Sequence, residues 1–332
     1  MHSIDTQGLV SRRRMLQAVG AAAIGMPLPG AAQATWPTRP VKILISFPPG
    51  GSSDFVGRTL APFLAEQLGQ PFVVDNRPGA GGMIAAESLK KDAPDGYNFM
   101  ISNNAPFSIA PTQFKTISYD PVKDFTHITY LGSTYGGAVA SPKLGVKNLT
   151  ELVAKARANP GKLTFGSSGT GSIGHIFGET FRRVAKVDML HVPYKGAAPL
   201  RQGMLGGEVD AMFESVTGNL AFLRAGTMVA LGSASAERLE TVPEVPTFRE
   251  QGFDLVSENW HGMTAPAGLP AAIAARMHQV LLALMQRKDV LDKLAVYGVF
   301  YKPMTGPAFN AYVVAQVDYW RPQIIAAGVA GQ

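Results

Sequence analysis

Two loops rich in glycine and serine contain the residues of this chain that could bind a ligand. The first loop runs over residues 48–54 and the second over residues 166–172. Each follows a short β-branched run and precedes apolar residues at helical spacing. A strand, a glycine loop and a helix start together direct unpaired backbone N–H groups and the positive end of a helix dipole at one place, which favours an anion. Two such loops, far apart in the chain, predict a clamp around a small anion.

The polar groups of these loops are expected to bind a ligand rather than to react with it. The candidate ligand-binding residues are Pro49, Gly50, Gly51, Ser52, Ser53 and Asp54 in the first loop, and Ser167, Ser168, Gly169, Thr170, Gly171, Ser172 and the following His175 in the second. The sequence has no G-x-S-x-G elbow and no Walker loop, so the serines are interpreted as hydroxyl donors. Helix capping is an equally good interpretation of Ser53 and Ser172, and it is preferred for Asp54.

A dinucleotide site is the enzymatic alternative for the second loop. Gly169, Gly171 and Gly174 fit G-x-G-x-x-G between a strand and a helix, and Asp188 follows at nearly the usual distance. Asp188 precedes the strand-like residues 189–192, however, whereas the acidic residue that contacts a ribose ends the strand. We therefore expect no cofactor, and a nucleotide-dependent enzyme that uses the loop from Gly169 to Gly174 is a distant alternative.

Metal and thiol chemistry have little support in the sequence. His175 and Glu179 lie one helical turn apart, but they offer two ligands where zinc needs three or four. The chain contains no cysteine, which excludes thiol catalysis, disulfides and cysteine-based metal sites. We expect neither a metal nor a catalytic residue.

The N-terminus has the pattern of an export signal. Three arginines at residues 12–14 precede an apolar stretch rich in alanine and glycine at residues 18–28, and an A-x-A site ends at Ala34. The paired arginines and the weakly hydrophobic stretch predict the twin-arginine route, cleavage near Ala34 and a periplasmic location. The stretch is shorter than the roughly 20 apolar residues that span a bilayer.

The charge of the chain is mildly basic and gives no sign of a nucleic-acid partner. The formal net charge is +6, and residues 1–34 contribute three arginines and one aspartate to it, which leaves +4. Lysine and arginine are scattered rather than gathered in a run, which is typical of a solvated surface that helps to attract anions.

From residue 35 onward, strand-like and helix-like segments alternate. Residues 41–47 and 71–75 predict strands on either side of a helical stripe that ends at Gly69. Asn148 and Glu151 form a capping box that predicts the start of a second α/β unit. Such alternation predicts an α/β fold with largely parallel sheets flanked by helices.

Short motifs along nearly the whole of this region, in order, resemble one protein family. They are Trp36-Pro37, Arg39-Pro40-Val41, Phe47-Pro48-Pro49-Gly50-Gly51 with Asp54, Asp75-Asn76-Arg77-Pro78-Gly79-Ala80-Gly81-Gly82, Pro94-Asp95-Gly96-Tyr97, Tyr119-Asp120-Pro121, the second glycine loop with His175, Val192-Pro193-Tyr194-Lys195-Gly196, Gly206-Gly207-Glu208-Val209-Asp210, Val245-Pro246-Thr247 and Ala265-Pro266-Ala267-Gly268-Leu269-Pro270. The set is similar to the periplasmic substrate-binding proteins of tripartite tricarboxylate transporters, the Bug family.

The resemblance implies a two-lobed, hinged periplasmic-binding-protein fold that captures a carboxylate and delivers it to membrane permease subunits, without catalysis. In that family the two loops grip a ligand carboxylate, partly through ordered waters. Neutral donors can suffice because aligned N–H and O–H groups and helix dipoles replace the hydration of the anion. The expected ligand is a di- or tricarboxylate or an aromatic carboxylate, and the expected state is a monomer.

Residues outside the loops are expected to contact the rest of the ligand. The candidates are Asn76, Asn103, Phe107, Tyr135, Tyr194 and Ser215. We place one lobe at residues 35–133 plus 260–332 and the other at residues 134–259. A ligand-sensing receptor of the same fold, which signals to a membrane sensor, is an alternative that the sequence does not separate from transport.

Overall fold

The computed structural model describes residues 36–302, 304 and 306–331, so the predicted export signal lies outside the described residues. The strands are β1 (Val41–Ile45), β2 (Phe72–Asn76), β3 (Asn98–Asn103), β4 (Phe125–Tyr135), β5 (Gly137–Ala140), β6 (Leu163–Ser167), β7 (Met189–Pro193), β8 (Ala211–Phe213), β9 (Val229–Ser233) and β10 (Glu258–Pro266). The α-helices are α1 (Ser52–Leu68), α2 (Met83–Lys91), α3 (Ala110–Gln113), α4 (Leu149–Ala158), α5 (Ile173–Ala185), α6 (Ala197–Gly206), α7 (Leu220–Arg224), α8 (Ala271–Leu284), α9 (Lys288–Ala295) and α10 (Gly306–Ala326).

The strands form two five-stranded sheets with the same topology. The first sheet has the order β2-β1-β3-β10-β4, and the second has the order β7-β6-β8-β5-β9. In each sheet, the first three strands pair in parallel, and the fourth adds antiparallel ladders on both of its sides. The two-lobed α/β fold is thus confirmed, with sheets that are mixed because a strand returning from the other lobe inserts into each one.

Both glycine loops lie at the carboxyl end of a central strand. The first loop follows β1, which lies between β2 and β3, and the second follows β6, which lies between β7 and β8. The strand that follows the loop, β2 or β7, pairs with one side of the central strand, and the next strand of the same sheet, β3 or β8, pairs with the other side. The crevice outside the carboxyl ends of the strands at such a point is where open α/β sheets bind ligands.

Local sequence signals explain where several helices begin and end. Asn148 accepts a hydrogen bond from the backbone N–H of Glu151 at 2.8 Å, which begins α4. Ser172 accepts from the backbone N–H of His175 at 3.2 Å, so its predicted capping role is confirmed. Gly69 ends α1 in the left-handed conformation, with φ of 73°, as glycine does most readily.

Each lobe buries its own apolar cores. In the first lobe, a cluster that includes Ile43, Leu60 and Met277 packs the helices against the sheet. In the second lobe, Phe165, Phe181 and neighbouring apolar side chains do the same. No helix in the described part of the chain is long and apolar enough to cross a bilayer.

The lobes are joined through β4 and β10, which pair with each other as far as Tyr135 and Glu258. The ladder therefore extends slightly beyond the lobe boundaries predicted at residues 133 and 260. A third contact comes from the segment after α9, where the backbone carbonyl of Tyr297 accepts a hydrogen bond from Thr217 Oγ1 of the second lobe at 2.8 Å.

Candidate functional site

A cavity of about 60 Å³ lies between the lobes, at the carboxyl ends of the central strands. One buried water needs about 10–15 Å³ by the same measure, so the cavity has room for a small organic molecule. Seven predicted residues line it, namely Gly51, Ser52, Ser53, Asn103, Ser168, Ser172 and Ser215. Further lining residues are Phe47, Pro48, Ala105, Thr134, Gly136, Ile173, Gly174, Phe177, Ala197, Phe213, Glu214, Ser257, Asn259 and Tyr297.

Three helices begin at this cavity. Their first residues are Ser52 of α1, Ile173 of α5 and Ala197 of α6, and all three line it. The first N–H groups of a helix have no partner within that helix, and the helix dipole adds positive potential there. The N-cap residues of α1 and α6 are Gly51 and Gly196, which offer no side chain to cap them. The cavity therefore presents backbone donors to an anion.

Hydroxyl groups supplement these backbone donors. Ser257 is about 1% exposed, and its Oγ has no hydrogen-bond partner among the described residues although it lines the cavity. A buried hydroxyl without a partner is costly, and a ligand in the cavity would satisfy it. Asn103 lines the cavity but uses its amide on Ser46 and Ser53, at 2.8 and 3.1 Å, so it positions the first loop.

Asp54 holds the first loop in place and does not cap α1. Its carboxylate accepts hydrogen bonds from Gly50 N–H at 3.0 Å, Arg58 Nε at 2.9 Å and Asn76 Nδ2 at 3.0 Å. Burial raises the pKa of Asp54, but these hydrogen bonds and the charge of Arg58 together lower it by more, so the pKa lies below its ordinary value. Asn76 also donates to the carbonyl of Phe47 at 2.9 Å. Because neither residue lines the cavity, both support the loop from behind.

Two histidines hold the second loop. His175 Nδ1 accepts from Gly171 N–H at 3.2 Å, and His191 Nε2 lies 2.7 Å from Ser167 Oγ. The imidazole rings stack at a centroid distance of 4.2 Å. Burial lowers the pKa of His175 to about 4 and that of His191 to about 3, so both rings are neutral at pH 7. Neither these histidines nor Ser167 and Gly171 line the cavity.

His191 joins the pair of potential metal ligands seen in the sequence. Ligand atoms of His175, Glu179 and His191 lie within 4.8 Å of one another. The two rings are nearly parallel, however, with an interplanar angle of 19°, and a metal ion binds in the plane of an imidazole. Glu179 is also engaged by Arg182 at 2.9 and 3.1 Å. The geometry therefore opposes a shared ion and fits a support for the second loop.

Other predicted residues lie beside the cavity or away from it. Gly169, Thr170 and Tyr194 line an adjoining, more open cavity of about 490 Å³ that shares Phe47, Pro48 and Ser168 with the first. Phe107 is fully buried in the aromatic core of the first lobe, against Phe125 and Trp260, so the structure does not bring it to the cleft. Pro49, Gly50 and Tyr135 line neither cavity.

The lobes contact each other directly above the first loop. Arg201 of the second lobe donates to the carbonyl of Gly50 at 2.9 Å, and Tyr297 OH lies 3.4 Å from the same oxygen. Tyr297 also stacks on Phe55 of α1 at 4.9 Å. Of these contacts, the Arg201 hydrogen bond joins the two lobes across the cleft, whereas both Tyr297 contacts lie within the first lobe.

Sequence reasoning missed Glu214, which is the only charged residue lining the cavity among those the structure describes. Its Oε1 accepts from the backbone N–H of Ser168 at 3.0 Å. Burial raises the pKa of Glu214 above its ordinary value, although the hydrogen bonds from Ser168 and the Arg201 guanidinium oppose this. Its position directly after β8 is a signal that could have identified it, because side chains after parallel strands meet at the ligand crevice.

Comparison with known proteins agrees with this architecture. BugT of Bordetella pertussis is 32% identical over 311 residues, which cover 92% of this chain and 95% of that protein. The R. palustris protein Rpa4515, solved with adipate, superposes with a TM-score of 0.87 at 30% identity and covers 90% of this chain and all of that one. The periplasmic binding protein BugD superposes with a TM-score of 0.85, also at 30% identity, over 90% of this chain and all of that one.

A sequence profile of the tripartite tricarboxylate transporter family receptors, named TctC, matches residues 56–329. This range contains every strand except β1, and it contains the second glycine loop but not the first. The chain belongs to the TctC family of tripartite tricarboxylate transporter receptors.

Proposed function

We propose that this protein captures a small carboxylate in the periplasm, by closing both lobes on it, and delivers it to the membrane subunits of a tripartite tricarboxylate transporter. The observation that carries the proposal is the cavity between the lobes at which three helices begin. The described lining contains no lysine or arginine, so an anion there would be held by backbone N–H groups, serine hydroxyls and helix dipoles.

Family membership and the adipate bound to Rpa4515 support the ligand class. Two carboxylic ends also suit a cavity with donors on both lobes, since a ligand that touches both lobes favours the closed state. The periplasmic location and cleavage near Ala34 rest on the pattern of the first 34 residues and on the likeness to periplasmic BugD. Binding and release without catalysis, by a monomer, complete the proposal.

Calorimetry on the purified protein tests the proposal directly. We expect a panel of di- and tricarboxylates and aromatic carboxylates to contain acids that bind with one site per chain and raise the melting temperature, since a ligand that binds only the folded state stabilises it. Mass spectrometry of ligand released from freshly purified protein provides an independent identification. A nucleotide that binds while every carboxylate fails, or turnover of any bound acid, would contradict the proposal.

A further inference from the structure

Glu214 places a hydrogen-bond acceptor in a cavity that otherwise favours anions. It directly follows β8 and belongs to the second lobe, next to the loop that begins after β6. Its Oε1 accepts the backbone N–H of Ser168 at 3.0 Å, which fixes the carboxyl group beside that loop. An ionised carboxylate accepts hydrogen bonds and donates none.

Ser168 bonds Glu214 through both its backbone N–H and its side chain, and the other polar neighbours of this carboxyl group make their hydrogen bonds elsewhere. The guanidinium of Arg201 acts on Glu214 through its charge, but it donates its hydrogen bond to Gly50 of the other lobe. The next residue, Ser215, pairs its hydroxyl with Thr217 Oγ1 at 2.9 Å. A plain carboxylate placed against Glu214 would meet a like charge or require Glu214 to take up a proton, whereas an ammonium or hydroxyl group there would donate a hydrogen bond to it.

We propose that Glu214 makes the site selective for carboxylic acids that carry an ammonium or a hydroxyl group beside the gripped carboxylate. The position of that group follows from Ser168, because the loop that would grip the carboxylate is the loop to which Glu214 is bonded. The inference rests on the proposed function, since it assumes that the second loop binds a ligand carboxylate. Glu214 would then be the one charged residue of the described lining, and it would distinguish substituted acids from unsubstituted ones.

The test compares matched acids that differ only at the carbon next to a carboxylate. Titration calorimetry at pH 7 uses succinate, malate and aspartate, then glutarate, 2-hydroxyglutarate and glutamate, then adipate and 2-aminoadipate. In the wild-type protein we expect the substituted acid of at least one chain length to bind 10-fold or more tightly than its unsubstituted parent. Binding sites that are built to hydrogen-bond such a group reject analogues that lack it, because the buried polar group is then left unpaired.

The variant Glu214→Gln removes the charge at nearly constant shape. Its amide oxygen can still accept from Ser168 N–H, while its NH₂ group becomes a donor to the cavity. We expect the preference for the substituted acid to fall at least 10-fold and the parent acid to bind as well as before or better. Glu208→Gln is the matched control, because Glu208 bonds the hydroxyl of Tyr194 at 2.9 Å in the same lobe and does not line the cavity. It should leave the preference unchanged.

The outcomes separate this inference from the proposed function. If wild-type protein binds the unsubstituted acids as tightly as the substituted ones, or if Glu214→Gln keeps the wild-type ratio, the inference is wrong while carboxylate capture stands. If wild-type protein binds none of these acids but binds a solute without a carboxylate, both are wrong. Where the variant does not fold, equal binding of substituted and unsubstituted acids by the wild-type protein still refutes the inference.

Discussion

The two glycine-rich loops occupy equivalent positions in sheets of the same topology, yet different chemistry holds them. In the first lobe, the Asp54 carboxylate accepts from the backbone N–H of Gly50 and pairs with Arg58. In the second lobe, the neutral imidazole of His175 accepts from the backbone N–H of Gly171. The two loops are therefore equivalent in their position in the fold but not in the groups that hold them. Either a charged or a neutral acceptor can fix the backbone of a loop at the ligand crevice.

This difference separates the two loops in their response to acid. A carboxylate whose pKa lies below its ordinary value keeps its hydrogen bonds well into the acid range. The buried imidazole of His175 has a pKa of about 4 in the folded protein, whereas in the unfolded chain it takes up a proton near pH 6.5. Acidification through this range therefore favours the unfolded state. The second loop should therefore be the one that weakens on mild acidification. The following changes test the comparison, from the largest expected effect to the smallest.

Substituting the loop glycines should abolish binding. Gly50 and Gly169 have φ of +93° and +135°, which valine rarely adopts, and added Cβ atoms would lie 3.2 Å from Arg201 Nη2 and 3.1 Å from the carbonyl of Tyr194. We expect Gly50→Val and Gly169→Val each to weaken carboxylate binding by at least about 100-fold, or roughly 2.7 kcal/mol. Isothermal titration measures the loss, and circular dichroism verifies the fold.

Gly226→Val is the matched control for backbone strain. Gly226 also has positive φ, of +68°, but an added Cβ would meet nothing within 4 Å. It should bind the ligand as the wild type does. Normal affinity in both Gly50→Val and Gly169→Val would refute a clamp formed by the two loops.

Asp54→Asn should destabilise the first lobe. The change removes the charge that accepts three hydrogen bonds, from Gly50, Arg58 and Asn76. Hydrogen bonds to charged groups contribute about 1.5–3 kcal/mol each. The contribution of Arg58 is smaller because its side chain is exposed to solvent. We expect the free energy of unfolding to fall by about 2 kcal/mol in urea titrations at pH 7.

Asp95→Asn is the control, since its ion pair with Arg39 is exposed on both sides and should contribute at most about 1 kcal/mol. Because the pKa of Asp54 is lowered, its contribution is complete above 3.8 and declines only as the pH falls further. A loss in Asp54→Asn no larger than that in Asp95→Asn would show that the first loop does not depend on this carboxylate.

His175→Asn should make the protein less sensitive to acid. The folded-state pKa of His175, about 4, lies below its ordinary value of 6.5, so the unfolded chain binds the proton and stability falls as the pH decreases from about 6.5 to about 4. An asparagine can accept from Gly171 N–H and does not titrate. Between pH 7 and pH 5, we expect the variant to lose about 2 kcal/mol less unfolding free energy than the wild type.

Urea titrations at both pH values measure this difference, and Asp54→Asn serves as the comparison because it should keep the wild-type pH dependence over that range. An unchanged pH dependence in His175→Asn would mean that this imidazole is not the source of acid sensitivity in the second loop.

Arg201→Ala should weaken binding without a change in the cavity lining. Arg201 joins the lobes by donating to the carbonyl of Gly50 at 2.9 Å, so its loss makes the closed state less favourable. We expect about a 10-fold weaker dissociation constant, or about 1.4 kcal/mol, together with faster ligand release in stopped-flow measurements. The exposed Arg224 of the same lobe is the control, and Arg224→Ala should bind normally. Equal affinities in the two variants would contradict a closing role for Arg201.

Much of the fold could be predicted from local signals. The helix that ends at Gly69 and the helix that Asn148 begins follow from glycine and capping chemistry, which act within a few residues. Pairing that depends on distant segments could not be predicted in the same way. Strand β10 enters the first sheet between β3 and β4, and nothing within its own residues specifies that neighbour.

The candidate site shows the same division. Four loop serines, Ser52, Ser53, Ser168 and Ser172, line the cavity as the sequence suggests, because each lies at or just before a helix start that fixes its direction, whereas Ser167 at the end of β6 does not line it. Phe107 does not, because an aromatic residue after a strand fits a core as well as a ligand, and only packing decides between them. Tyr297 reaches the cavity from a segment far along the chain.

The sequence by itself determined the family, the two loops and the anion-binding character of their helix starts, since these depend on residue types within short segments. Only the tertiary structure decided which side chains face the ligand space. In the folded protein, Asp54 and His175 accept hydrogen bonds from backbone N–H groups of the loops instead of lining the cavity. Glu214 and Ser257 line the cavity. The physical reason is that a side chain's role depends on the groups that burial places around it, and those groups come from the other lobe and from distant strands.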